Sequence, residues 1–350
     1  MRTTVLILIF CVTTARAQNN FYQIADSVKE YLDRSLFIIQ EHALHKDSID
    51  WSQIRENVYQ KACGAKDLSG ILPLYPAIFE QLGDRYGSLI YNGVPYRWGA
   101  EENTCSKATR AAIERYKQVV VRKIEKDIAY ILIPSNAGSS LSSLNEEAQA
   151  LKDSITAIND SSIKGWIIDL RLDTGGNMYP VIAGLGALLG DGKLGEFVGA
   201  GNGSEGSWSI KDGNLYVDGL PLSSVKKGDV IIQEPVPLVV LTGSCTAHAG
   251  ELIAISAISR KNTIVVGERT AGISAVTEYF KISDHLKLHL AVNYAADRNG
   301  KIYKEGIFPD LEVKGGDNFP KLKRDKKFRT AVRWLRGVAA QVAEGGTAPL

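Results

Sequence analysis

Apolar residues recur at Ile24, Val28, Leu32, Leu36 and Ile39, in steps of three and four, which predicts a helix inside 21–45 with one buried face. Asp50 then stands where a helix cap belongs, with Gln53 three residues on and Ile54, Val58 and Ala62 as the buried stripe. A third helix is expected over 73–82, its prolines confined to the first turns where a missing N–H costs little. The stretch 91–122 reads as polar and irregular, turning helical from Ala108.

From Asp127 the period changes. Residues 128–134 (IAYILIP) form an unbroken apolar run of strand length, and 141–159 carry a helical face of Leu144, Ala148, Leu151, Ile155 and Ile158 with Ser143 and Glu146 as a capping box. Residues 165–172 (GWIIDLRL) are the next strand, so a parallel pair with a crossover helix is expected. Alternation about Asp212-Gly213 predicts a hairpin. The run 237–243 (PLVVLTG) leads to a helix over 248–259 and a strand over 263–268. The fold class is α/β, with a small helical N-terminal domain (18–95), a connecting segment (96–126), an α/β core (127–315), and a basic C-terminal helix and tail (316–350).

The first residues add a compartment. Arg2, an apolar stretch to Val12 and Ala15-Arg16-Ala17 form an export signal over 1–17, with the mature chain expected to begin at Gln18. Phe10 stands before Cys11 where lipid attachment wants a small residue, so cleavage after Ala17 is the favoured reading. No later segment approaches the roughly 20 apolar residues of a membrane-spanning helix, so a periplasmic or extracellular protein with no integral membrane segment is expected. Loss of Arg2 and Arg16 leaves 39 of the 41 bases against 39 acids, and this neutrality argues against a nucleic-acid partner. Lys321, Lys323, Arg324, Lys326, Lys327, Arg329, Arg333 and Arg336 surround the apolar stripe Val332, Leu335 and Val338, which reads as a solvated face on a docked helix. Cys63, Cys105 and Cys245 allow at most one disulfide and match no metal-site spacing; unpaired thiols are the favoured reading, and no metal or cofactor is expected.

Two local patterns carry chemistry. Gly175-Gly176 after a strand lets backbone approach a ligand and offers unhindered N–H groups suited to an oxyanion. The strand, turn and helix over 242–251 put position 248 at a helix N-terminus, a place that favours negative charge and suits a nucleophile.

Four segments in order, Ile168-Asp169-Leu170-Arg171 with Asp173-Thr174-Gly175-Gly176, then 240–251 (VLTGSCTAHAGE), 266–272 (VGERTAG) and 306–310 (GIFPD), resemble the tail-specific, or carboxyl-terminal-processing, serine peptidases. That family includes the tricorn core and the retinoid-binding modules of the eye, and the resemblance spans about 22–313. It implies a crotonase-like spiral of ββα units and a hydrolase acting on extended peptides or protein C-termini. It also implies an oxyanion hole at Gly175, Gly176 and Ala249. The family's serine nucleophile falls on His248. Its lysine base falls on Ile273, and the histidine of its alternative base segment falls on Tyr86, within Asp84-Arg85-Tyr86-Gly87. A hydroxyl nucleophile needs a base, so the resemblance implies a catalytically impaired serine peptidase homologue, a pseudoenzyme, that binds a peptide in the ancestral cleft. Two alternatives stand beside it: an active peptidase or esterase with a rearranged set such as His248 with Tyr86, and a carrier of an apolar ligand. Ser244 and Cys245 are substitute nucleophiles only if the turn brings them a helical turn forward. Glu251 is expected to stabilise the helix start, and His42, His45, His285 and His289 are expected to be surface or satisfied histidines.

Overall fold

The computed structural model describes residues 23–99, 105–136, 143–226 and 236–343. The expected signal over 1–17 and the last seven residues of the tail lie outside them. Helices α1 (Asp26–His42), α2 (Trp51–Ala62) and α3 (Tyr75–Leu82) open the chain. Asp50 caps α2 by accepting from the N–H groups of Ser52 and Gln53, and α3 stops at Gly83, whose φ of 65° is a glycine conformation at a helix end.

The next segments hold three strands that the pattern did not reveal, together with the helix expected from Ala108. Strands β1 (Ser88–Tyr91) and β2 (Val94–Arg97) form a hairpin, followed by α4 (Lys107–Arg115) and β3 (Val120–Lys123). Then come β4 (Ile128–Leu132), α5 (Leu144–Ile158), β5 (Gly165–Asp169), α6 (Met178–Gly184) and α7 (Gly186–Leu189). Ser143 does stand at the N-cap of α5, but its side chain makes no cap hydrogen bond, so the expected capping box is not formed. The chain continues through β6 (Gly192–Val198), β7 (Ser204–Lys211), β8 (Asn214–Val217) and β9 (Leu220–Ser223) to β10 (Leu238–Thr242), α8 (Ala249–Ala257) and β11 (Thr263–Gly267). It ends with β12 (Val276–Lys281), β13 (Leu286–Asp297), β14 (Ile302–Tyr303), β15 (Leu311–Glu312) and α9 (Lys326–Ala343).

One sheet runs β15-β11-β10-β5-β4-β3, parallel except at the β3 edge. Every residue of β4, β5 and β10 is buried, as parallel strands covered on both faces must be. Ile168 and Val240 pack with Ala148, Leu151 and Ile155 of α5 and Ile253 of α8. Tyr130, Ile167 and Val239 pack with Phe328 and Leu335 of α9. A second sheet, β2-β1-β13-β6-β7-β8-β9, has β12 and β14 also paired to β13. Leu286, Leu288 and Leu290 of β13 share one core with α1, α2 and α3, so the N-terminal helices rest on a strand about 200 residues further along.

Two further expectations are corrected. Cys105 and Cys245 form a disulfide, and among the described residues Cys63 is the exposed free thiol; spacing alone could not show that a residue two before α4 lies against the turn after β10. The basic tail is not all solvated either. Lys327 is 0% exposed, and its ammonium meets Asp317 at 2.8 Å and Glu268 at 3.3 Å. Asp317 also binds the buried Arg171, whose guanidinium contacts Asp169 at 2.6 Å and Asp325 at 2.8 Å. Burial of these charges is tolerable because each is paired and hydrogen-bonded, and the network fixes the start of α9 to the end of β5.

Candidate active site

In a parallel sheet ligands meet the carboxyl ends of the strands, and two such ends converge here. Beyond β5, the Thr246 hydroxyl donates to Leu170 O at 2.9 Å and Ala247 N–H donates to Asp173 O at 3.0 Å. The start of α8 lies so close that a β-carbon at Gly250 would stand 2.7 Å from Asp173 O, which only glycine avoids. Burial pushes the Asp173 carboxyl up to about 8, although Gly175 N–H donates to it at 3.0 Å.

Gly175 and Gly176 have φ of 129° and 131°, a region that strains any other residue. A β-carbon at Gly175 would sit 3.2 Å from that of His248, and one at Gly176 would sit 1.9 Å from Asn136 Oδ1. Asn136 clamps the turn from outside, accepting from Asn177 N–H at 2.6 Å and donating to Asn177 O at 2.9 Å. The sequence hid Asn136, because its partner lies 41 residues away.

His248 is the N-cap of α8, with φ 48° and ψ −115°. A histidine at positive φ is costly and persists only where its surroundings over-determine it. The strand-to-helix turn thus presents this half-buried side chain beside Gly175, and Ala249 follows as the first residue of α8. Loop 173–176, His248 and Ala249 therefore lie together.

Tyr86 completes the group. Its ring centroid is 6.3 Å from that of His248, at an interplanar angle of 74°. Asp84 sets its position, accepting from Tyr86 N–H at 2.9 Å, Gly87 N–H at 2.7 Å and, across to β13, Ala291 N–H at 3.1 Å. The Tyr86 hydroxyl donates to Gly272 O. Burial, aided by the Glu251 charge, pushes the phenol up to about 12. It is a phenol at neutral pH and a poor proton acceptor.

Glu251 is buried and turned toward the loop after β11, where Oε1 accepts from the Thr270 hydroxyl and from Gly272 N–H at 3.1 Å. Burial raises its carboxyl to about 7 against the pull of those bonds. It holds the loop to α8 as well as lying in the helix's first turn. Ile273, next in the chain, supplies no base. Cys245 is committed to its disulfide and is removed as a substitute nucleophile. His42 stacks on Phe280 and His45 meets the Tyr294 hydroxyl at 3.0 Å. His289 is different. It faces Ser88 and Tyr279 across the sheet, stacks on Tyr279 at 4.3 Å, and is held down near 4 by burial, with the charges of His248 and Lys287 adding. Its alternation with leucines marks a strand but not this neighbourhood.

Among the described residues no group of three or more His, Cys, Asp or Glu could hold a metal ion, and no helix is long and apolar enough to cross a membrane.

Comparison with known proteins agrees with this geometry. Residues 127–313 match Peptidase family S41. The nisin-resistance protein of Lactococcus lactis subsp. lactis is 23% identical over 318 residues, covering 91% of this chain and 90% of the relative. The carboxy-terminal-processing protease of Bartonella bacilliformis is 23% identical over 218 residues, 62% of this chain and 45% of the protease. Among solved structures, a lipoprotein from Streptococcus agalactiae superposes with a TM-score of 0.68 at 22% identity, covering 91% of this chain and 99% of its own. The photosystem II D1 C-terminal processing protease gives 0.54 at 15% identity, covering 83% and 94%.

Proposed function

This chain belongs to peptidase family S41, and from that premise we propose that it is a catalytically impaired member that binds an extended peptide or protein C-terminus in the inherited cleft. The observation that carries the reading is the pair His248 and Tyr86. An imidazole occupies the strained turn where the family has its serine, and a phenol bonded to Gly272 O occupies the base position. Serine attack needs a hydroxyl and a positioned proton acceptor, and neither stands at these two positions. In this reading Gly175, Gly176 and Ala249 keep the role of oxyanion donors and now hold a carbonyl or terminal carboxylate of the ligand. Extended finer, the proposal has the core as a crotonase-like spiral of ββα units and the mature chain, from Gln18, in the periplasm or outside the cell. The name of the Lactococcus relative makes nisin one peptide to try.

Binding is tested by fluorescence anisotropy with labelled peptides of random sequence bearing a free or an amidated C-terminus. Saturable binding that weakens in Gly175→Ala, whose β-carbon would press on His248, supports the proposal. Equal, unsaturable signals from both proteins contradict it.

A further inference from the structure

An imidazole differs from a hydroxyl in one decisive way. Serine must lose a proton to become a strong nucleophile, whereas a neutral imidazole already carries a lone pair on one ring nitrogen and keeps its N–H on the other for a protein partner. The missing base is fatal to serine chemistry at position 248 and irrelevant to imidazole chemistry there. His248 is half-buried at a strand-to-helix turn, with Gly175 against its side chain and Tyr86 at its ring edge.

We propose that His248 is a nucleophile toward activated esters and leaves peptide bonds intact. The ring lone pair adds to the acyl carbon of an aryl ester. The carbon–oxygen bond breaks, and the aryl oxide leaves with its electron pair. The acylated ring then gives its N–H proton to water. Water adds to the acyl carbon, the carboxylic acid departs, and the ring nitrogen recovers its proton, so the sum is ester plus water to acid plus phenol. With an amide the same adduct returns to reactants, because imidazole leaves more readily than an unprotonated amine; the Tyr86 hydroxyl at the ring edge does not protonate that amine, since it donates to Gly272 O. The activity is thus compatible with a peptide-binding protein that does not cut peptides, and it does not depend on peptide binding.

The experiment follows p-nitrophenolate release from p-nitrophenyl acetate by the full chain. Wild type should exceed His248→Ala and His248→Gly by about tenfold or more, the scale on which a positioned group outruns unpositioned ones. Glycine suits φ 48°, so that variant guards against misfolding, and added imidazole should restore part of its rate. His289→Ala should keep the wild-type rate, and the p-nitroanilide analogue should be inert. Peptide anisotropy on the same samples separates the two readings: a missing esterase with intact peptide binding overturns this inference alone. Equal rates in wild type and both position-248 variants, or loss of rate in His289→Ala, would each overturn it.

Discussion

Tyr86 and Glu251 hold the same residue from opposite sides: the tyrosine hydroxyl donates to Gly272 O, and the glutamate accepts from Gly272 N–H at 3.1 Å. The loop after β11 is thereby tied both to the segment that closes the helical region and to the first turn of α8. Residues that the family resemblance puts at a base position and in a catalytic motif serve here as fasteners.

Tyr86→Phe should therefore lower stability without creating or abolishing peptide hydrolysis. Leaving the Gly272 carbonyl without its donor costs on the order of 1 kcal/mol, readable as a lower urea midpoint. A large fall in ester hydrolysis with unchanged stability would instead make the phenol part of the chemistry.

Stability should fall as pH rises. Glu251 and Asp173 are raised in the folded state to about 7 and about 8, so above the ordinary carboxylate range the folded chain binds more protons than the unfolded one. Their contribution is complete below about pH 4 and is lost as pH passes through 7 and 8. Urea unfolding across pH 5 to 9 should show this decline, and Glu251→Gln with Asp173→Asn should flatten it. Carboxylates held low, such as Asp317 beside Arg171, act at the acid end instead. A rise in stability across the same window would be the wrong sign for this account.

Much of this was legible. The unbroken apolar runs of β4, β5 and β10 and the glycines at 175 and 176 fixed the α/β core and the turn that touches position 248, because burial on both faces and positive φ leave direct marks on sequence. The pairing of Cys105 with Cys245, the clamp of Asn136 on Asn177 and the nearness of His289 left none, since each joins segments distant in the chain. Lys327 was misread for the same reason: its carboxylate partners include Glu268, which lies on another element. The strands from Val276 to Asp297 were also missed, their polar face looking like loop.

Repair should need two substitutions. Family pattern would place a serine at 87, but a β-carbon there would stand 2.5 Å from the Phe79 ring and 2.7 Å from Asp84 Oδ2, so Gly87→Ser would disturb the carboxylate that positions residue 86. His248→Ser alone should stay inactive. With Tyr86→His it should gain about 10²–10⁴-fold in ester or peptide hydrolysis, more than the single changes combined, because nucleophile and base act as a unit. Additive effects would show that residue 86 does not reach the hydroxyl.

The disulfide should be a strong fastener. It closes a loop across 140 residues of sequence and ends three residues before His248, so Cys105→Ala should cost about 2–5 kcal/mol. Unfolding with and without reductant should differ in wild type and coincide in the variant; equal wild-type curves would argue that the bridge is absent in solution.

The central claim is most directly tested by turnover of a quenched fluorescent peptide library by wild type and His248→Ala side by side. The structure predicts no cleavage by wild type above the variant. Cleavage of order 1 s⁻¹ or faster, the rate of a competent enzyme, abolished in His248→Ala, would contradict the account and make His248 part of a working peptidase.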